Sequence, residues 1–369
     1  MKTPTITKID IFKLKIPFSR PYRTALGFYE RTISIAVRLH SNEGIYGIGE
    51  GCPDPQITGE SQEIGLEAAK LLGQFLIGKN PLAIEALVKE MDNHLSHNTG
   101  VKSAFDLALY DLLAKRAEVP LYAFLGGEKR TLQTCMTVGI DSPDVMAQEA
   151  LEFANKGIHS VKVKLGTNQA DDVERIQAIR EVVDKNIPLN IDGNQGWNPT
   201  IAIQTLRALT SFNIQFCEEP VAHWNNLALQ YVREHSPIPI MADESISDHH
   251  DAFRLAKMGA CDYFNIKMAK SGGIQTALKI DAIAQGAGIQ CMVGCMEETR
   301  LGLSAAAHLV SARPNIVFAD LDSAFYLAED PIIGGISFEG GQITLPDTPG
   351  HGADFEDGYL ENLEGISIT

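Results

Sequence analysis

The sequence predicts an α/β protein: a closed barrel of the (β/α)7β type, preceded by an α+β capping domain. Two observations carry this. Apolar strand-like runs end at Thr137, Lys162 to Lys164, Asp192, Glu218, Asp243, Lys267, Cys295 and Asp320 to Asp322, and successive ends are 25, 30, 26, 25, 24, 28 and 25 residues apart. Each step is the length of one strand–helix unit. Eight such strands, each but the last followed by a helix, describe a TIM-like parallel barrel whose functional groups sit at the C-terminal strand ends. The second observation is that the first third of the chain has another rhythm, with alternating strands followed by helical patterns.

Composition sets the outer bounds. At 369 residues and 40.2 kDa the chain can bury a large core, and a barrel of about 200 residues leaves room for a second domain. A net charge of −16 and a pI near 5.0 argue against nucleic acid and anionic membranes as partners. No run approaches the roughly 18 apolar residues of a membrane span, and the opening Met-Lys-Thr-Pro-Thr-Ile-Thr-Lys lacks the apolar core of an export signal. The six cysteines, Cys52, Cys135, Cys217, Cys261, Cys291 and Cys295, show no CxxC spacing and fit buried free thiols. A reducing, cytoplasmic setting is expected.

In chain order, residues 1–125 form the expected cap. Residues 5–17 and 32–40 alternate, with Ile33, Ile35, Val37 and Leu39 on one face, as in an antiparallel sheet. The stretch Arg20 to Arg31 between them is expected to be a loop, placed to act as a lid. Gly47-Ile-Gly49-Glu-Gly51 lacks the spacing of a nucleotide-binding loop and is read as a strand end. Helical patterns follow at 61–77, 81–96 and 100–116, the last with Ala104, Leu107, Ala108, Leu112 and Leu113 on one side. Pro120 and Gly126-Gly127 break the pattern before the barrel, assigned to 126–325. Helices are expected at Asp171 to Val183, Thr200 to Leu209 and Ile274 to Ala284, among others. Residues 326–369 are expected to return to the cap, through a hairpin-like alternation from Ile332 to Leu345.

The strand ends also define a chemistry. Alternating Lys and Val in Ser160 to Gly166 puts both ammonium groups on one face; alone, this more often marks a half-exposed strand. In an eight-stranded ring, strands four apart face each other, so Lys162 and Lys164 on the second oppose Lys267 on the sixth. Asp192, Glu218 and Asp243 occupy the three strands between, and converging carboxylates suit a hard cation such as Mg²⁺. A substrate carboxylate on that ion can hold the second negative charge that appears when its α-proton leaves. Two opposed lysines can take the proton from one face and return it from the other, a 1,1-proton transfer through an enediolate. Repulsion from Lys162, about 6 to 7 Å away at an effective dielectric of 20, is roughly 2.5 kcal/mol and would lower Lys164 toward neutrality.

These residues carry a resemblance. Lys162-Val-Lys164, Asp192-Gly-Asn-Gln-Gly-Trp197, Cys217-Glu-Glu-Pro220, Ala242-Asp-Glu-Ser245, and Asn265-Ile-Lys267 followed by Ser271-Gly-Gly-Ile274 resemble the muconate-lactonising-enzyme subgroup of the enolase superfamily. A Lys or His base with Mg²⁺ is general to that superfamily. The resemblance spans nearly the whole chain and implies Lys164 and Lys267 as the acid/base pair. It implies Asp192, Glu218 and Asp243 as the Mg²⁺ ligands, and Lys162 as a partner of the substrate carboxylate. Asp320-Leu321-Asp322 resembles the last strand of the dipeptide epimerases, where the paired acid holds the substrate's α-ammonium. Thr137, Cys295 and Glu297 sit at matching strand ends and would line the pocket, with Leu321 between the two acids. The implied reaction is epimerisation of a dipeptide at the α-carbon of its C-terminal residue. Members acting on Ala-Glu can carry an arginine in the cap loop where this chain has Gly27. With only Arg23 and Arg31 nearby, small or apolar dipeptides such as Ala-Ala are expected.

Other readings are weighed against this one. On the same scaffold stand N-acylamino acid racemase, o-succinylbenzoate synthase and muconate cycloisomerase activities; elimination and cycloisomerisation need only one lysine, and the Asp320/Asp322 pair counts against them. A metal-free Schiff-base aldolase using Lys267 is the rival from another class, opposed by the carboxylate triad. Each carboxylate taken singly would more often be a helix cap or loop residue. Glu219 and Glu244 are read as turned to the other side of their strands, and His249-His250 as facing solvent. The expected partner is a small-molecule dipeptide, with a homo-oligomer compatible with the sequence.

Overall fold

The structure, a computed structural model, describes residues 3–369. The cap is a four-stranded antiparallel sheet in the order Gly365–Ile368, Ile6–Arg23, Phe28–Ser41, Tyr46–Gly51. Helices Gln62–Leu76, Ile84–His94 and Thr99–Arg116 cover it. Ile9, Ile11, Ile35, Val37 and Leu39 are buried between sheet and helices, while Ile33, at the outer end of the expected stripe, stays 37% exposed. The two long strands run well into the stretch expected as loop, leaving only residues 24–27 between them. Their pairing continues through Tyr22↔Tyr29 and Arg23↔Phe28, past an irregularity after Pro17↔Arg31.

The Gly47-Ile-Gly49-Glu-Gly51 strand packs directly on the Thr99–Arg116 helix. A Cβ at Gly47, Gly49 or Gly51 would lie 2.0, 2.3 or 2.0 Å from the carbonyl oxygens of Ala108, Ala104 and Gly100. The glycines thus form a flat track for the helix, and strand alternation turns Glu50 to the opposite face. There Glu50 accepts from Thr299 N–H, Thr299 Oγ1 and Gly302 N–H, so a cap carboxylate closes the N-terminus of the last barrel helix, Arg300–Ala312. Asp106, from the cap helix, does the same for Ile274–Ala287, accepting from Ile274 N–H at 2.6 Å. The cap is therefore seated on the loops that follow the sixth and seventh barrel strands.

The eight parallel barrel strands are Met136–Val138, Val161–Lys164, Leu189–Asp192, Ile214–Glu218, Ile240–Ala242, Tyr263–Lys267, Gln290–Gly294 and Ile316–Asp320, each beside its sequence neighbour. A parallel bridge between Thr134 and Ala319 closes the ring. Helices Gln169–Val182, Pro199–Ala208 and Ile274–Ala287 stand where the apolar periodicity places them. The first two start at Asn168 and Asn198, whose side chains accept from Asp171 and Ile201 N–H, and the third ends at Gly288, in the left-handed conformation at φ +73°.

The C-terminal part differs in detail from the expected hairpin. Ser337–Glu339 and Gln342–Thr344 pair around the left-handed Gly340, but this hairpin extends to Leu132–Gln133 at the start of the barrel, while Ile332–Gly334 pairs with Ala353–Phe355. The return to the cap sheet is made later, by Gly365–Ile368 beside Ile9 to Phe12. No described helix is long and apolar enough to cross a membrane.

Candidate active site

The second strand buries Val161 and Val163 against the surrounding helices and turns Lys162 and Lys164 into the barrel mouth. Parallel register sets Lys164 opposite Asp192 and Asp192 opposite Glu218. Asp243 follows the fifth strand by one residue, and Lys267 ends the sixth. A Cβ at Gly294 on the adjoining strand would stand 3.2 Å from Lys267 Cε, so the glycine leaves room for the lysine stem.

Ligand oxygens of Asp192, Glu218 and Asp243 lie within 4.8 Å of one another, and all three residues are buried. Opposite ligands of an octahedral ion at Mg²⁺ radius are about 4.2 Å apart, so a small closure would grip one ion. The electrostatics agree. Burial opposes ionisation of all three acids; Lys164 and Lys162 outweigh it at Asp192, as do Lys267 and Lys270 at Asp243, holding both below the usual carboxylate range. At Glu218, burial with Asp192 and Asp243 outweighs Lys162 and pushes the carboxyl up to about 8. Glu218 Oε2 and Asp243 Oδ2 are buried and accept no hydrogen bond, although lysine Nζ atoms lie 2.7 and 2.9 Å from them. Three converging hard oxygen donors, two of whose oxygens accept no hydrogen bond, fit a divalent metal.

The lysines divide the triad. Lys164 Nζ donates to Asp192 Oδ2 at 2.7 Å, and Lys267 Nζ lies 2.9 Å from Asp243 Oδ2. Lys162 Nζ lies 2.7 Å from both Glu218 Oε2 and Asp320 Oδ2, and 3.4 Å from Asp192 Oδ2. Burial would lower this ammonium, but Asp320, Glu218 and Asp192 raise it well above the ordinary lysine range. The expected repulsion between the paired lysines left out these three acids, which surround and compensate the Lys162 charge.

Next to Lys162, which bridges Glu218 and Asp320, Asp322 Oδ2 accepts from Thr137 N–H at 2.7 Å, and Cys135 Sγ donates to Asp320 Oδ1 at 3.1 Å. Burial and neighbouring Asp320 push Asp322 up to about 6. Thr137, Lys162, Lys164, Lys267, Cys295, Glu297, Asp320 and Asp322 all line one cavity. Leu321 does not: its side chain is fully buried in the apolar core, and its N–H donates to Thr134 Oγ1 at 2.8 Å.

The stretch Arg20 to Arg31, expected as a lid, does reach the cavity, whereas the places of Lys270 on Asp243 and of Glu244 in the cavity were not expected. The cap lays Thr24, Leu26 and Tyr29 over the mouth, and Tyr22 donates to Glu297 Oε1 at 2.7 Å. The cap loop is seated by Ile140 N–H donating to Arg23 O at 2.7 Å and by Ala25 against Gly166, where an added Cβ would stand 2.9 Å from Ala25 Cβ. Lys270, one helical turn past Lys267, ion-pairs with Asp243 Oδ1 and donates to Ile246 O at 3.1 Å. Glu244, expected on the far side of its strand, also lines the cavity, whereas Glu219 is turned away and accepts from Asp243 N–H at 2.7 Å.

Fold and site together define a capped parallel barrel with a carboxylate triad that fits a divalent metal at its mouth. Two family models match the chain: the Mandelate racemase / muconate lactonizing enzyme, N-terminal domain over residues 6–126, and the Enolase C-terminal domain-like family over 145–359. The chain belongs to this branch of the enolase superfamily and is an isomerase of its epimerase and racemase type. It is 42% identical to the D-Ala-D/L-Ala epimerase of Cytophaga hutchinsonii over 99% of this chain and all of that one. It is 43% identical to the hydrophobic dipeptide epimerase of Enterococcus faecalis, over 90% and 95% of the two chains. The crystal structure of the Cytophaga dipeptide epimerase with Mg and D-Ala-L-Val superposes with a TM-score of 0.97, at 41% identity over 99% and 100% of the two chains. That of the Enterococcus enzyme with Mg and L-Leu-L-Tyr gives 0.93, at 41% identity over 95% and 99%.

Proposed function

We propose that this chain epimerises dipeptides by 1,1-proton transfer at the α-carbon of the C-terminal residue, favouring small or apolar dipeptides of the Ala-Ala kind. The observation that carries this reading is the division of the triad between two lysines: Lys164 on Asp192 and Lys267 on Asp243, both facing the cavity. Asp192, Glu218 and Asp243 would hold a divalent ion, which when bound would supply positive charge to the substrate carboxylate. Lys164 and Lys267 take and return the α-proton from opposite faces. Lys162 faces the substrate carboxylate, and Asp322, with Asp320 held by Lys162 beside it, takes the α-ammonium. A zwitterion with separated ends matches this spacing of charges, whereas an elimination or ring closure needs neither the second lysine nor the acid pair.

The preference for small or apolar side chains rests on the cavity walls. Phe18, Leu26, Tyr29, Ile57 and Met296 line them, while the exposed Arg23 and Arg31 do not. The names of the Cytophaga and Enterococcus relatives point the same way. The six free cysteines support a reducing, cytoplasmic compartment. The deciding experiment is incubation of a dipeptide library in D₂O with Mg²⁺, scoring mass gain at the C-terminal residue. Exchange in Ala-Ala-like members carries the reading; exchange confined to N-acylated amino acids would move the chain to racemisation of those substrates.

A further inference from the structure

Two groups beside the triad have no part in that reaction. Asn194 follows Asp192 by two residues and sits in the left-handed region at φ +38°, an uncommon conformation for a residue other than glycine. Its N–H donates to Asp192 Oδ1 at 2.8 Å, and its Nδ2 donates to Glu244 Oε1 at 3.2 Å. That second bond uses one atom of each group and leaves Asn194 Oδ1 and Glu244 Oε2. Both oxygens are buried, neither receives a hydrogen bond from the protein, and both residues line the cavity at 5% and 9% exposure.

A buried acceptor without a donor costs about 1 to 3 kcal/mol, and two in adjacent residues call for a shared occupant. The nearby ammonium groups are engaged elsewhere, Lys164 with Asp192 and Lys267 with Asp243, and among the described residues none forms an ion pair with Glu244. Three carboxylates leave an octahedral Mg²⁺-sized ion with open positions, and such an ion keeps water. Water on a divalent ion presents two polarised O–H donors.

We infer that Asn194 and Glu244 form an acceptor pair that holds one water of the divalent ion bound by Asp192, Glu218 and Asp243. This fixes one coordination position and thereby those left to the substrate carboxylate; it rests on the ion site of the preceding reading. The test is Mn²⁺ titration of metal-free enzyme followed by electron paramagnetic resonance, for wild type, Asn194→Ala and Glu244→Gln, with metal-free melting temperatures alongside. Each variant should bind Mn²⁺ about 10 to 100-fold more weakly, with faster exchange of the Mn²⁺-bound water in proton relaxation, and Glu244→Gln, which removes a buried unpaired carboxylate, should leave the metal-free melting temperature no lower. Undiminished Mn²⁺ binding in both variants overturns the pair, as does a rise in dipeptide KM without loss of Mn²⁺ affinity, which would mean that the acceptors face substrate. A fall in the metal-free stability of Glu244→Gln that matches the loss of affinity also overturns it. Absence of Mn²⁺ binding to the wild type would remove the ion site itself.

Discussion

Lys164 and Asp192 are partners twice over: they are paired in register across the second and third barrel strands, and the lysine Nζ donates to Asp192 Oδ2 at 2.7 Å. Lys267 and Asp243, on the sixth strand and just past the fifth, are joined by charge without strand register, with Nζ 2.9 Å from Oδ2. A proposed acid/base group is thus fastened to a proposed ligand on each flank, so proton transfer and charge stabilisation are built on the same strands.

Lys164→Ala and Lys267→Ala should therefore each abolish net epimerisation, with at least about a 10³-fold loss given the usual weight of a general acid or base. One variant is expected to keep α-proton exchange with solvent deuterium from a single stereoisomer, because the remaining lysine still reaches one face. Proton NMR in D₂O on separated stereoisomers measures this, and unimpaired turnover in either variant would remove the two-base mechanism.

Asp322→Asn should lower kcat/KM for dipeptides by roughly 10 to 100-fold, the range of a lost charge-assisted hydrogen bond. N-acylated amino acids, which carry no α-ammonium, should suffer far less. Thr137 N–H already holds Asp322 Oδ2, so the substitution keeps its packing and changes the charge. Equal losses for the two substrate classes would discredit the ammonium role.

The strand ends were readable because a barrel repeats one local rule: an apolar run, a polar end, a helix, then the same again. Asp192, Glu218 and Lys267 fall on the last residues of their strands, and Asp243 one beyond. What escaped was whatever depends on a turn after the strand or on remote chain. Glu244 turns into the cavity only because residues beyond Ala242 leave the strict alternation of the strand. Tyr22 reaches Glu297 across 275 residues, and nothing in either local sequence marks the pair. Lys270 had a weaker signal, one helical turn past Lys267, but its place on Asp243 follows from the short helix Met268–Ser271. The repulsion expected between Lys162 and Lys164 left out compensating charge, because a like pair is legible in one strand whereas the three acids around Lys162 come from three other strands.

Gly49→Ala should destabilise the cap by about 1 to 3 kcal/mol or more. The added Cβ would meet Ala104 O at 2.3 Å and Ala108 N at 2.6 Å, both helix backbone, while Val37 pairs with Gly49 in the neighbouring strand. Gly286→Ala is the control: it lies within the Ile274–Ala287 helix with nothing within 4 Å of the new methyl group. It should stabilise by about 0.5 to 1 kcal/mol. Urea denaturation of both variants distinguishes packing at the glycine track from a general cost of replacing glycine.

Glu298 is buried where the cap meets the barrel, and burial, then Glu50 and Glu297, push its carboxyl up to about 8. Lys267 and the backbone N–H of Met296 act the other way without prevailing. Between about 4.5 and about 8 the folded chain keeps a proton here that the unfolded chain has lost, so this group subtracts stability as pH rises through that window, by at most about 1.4 kcal/mol per pH unit. Glu298→Gln carries no such charge. Its melting temperature relative to wild type should therefore climb between about pH 4 and about pH 8, from near parity while Glu298 is protonated in both states to a clear advantage once wild type must bury a carboxylate. Scanning calorimetry of both proteins across that range measures the difference directly. A constant offset at every pH would mean that Glu298 ionises as freely in the fold as outside it, and that the interface between Glu50 and Glu297 admits a third negative charge at no cost.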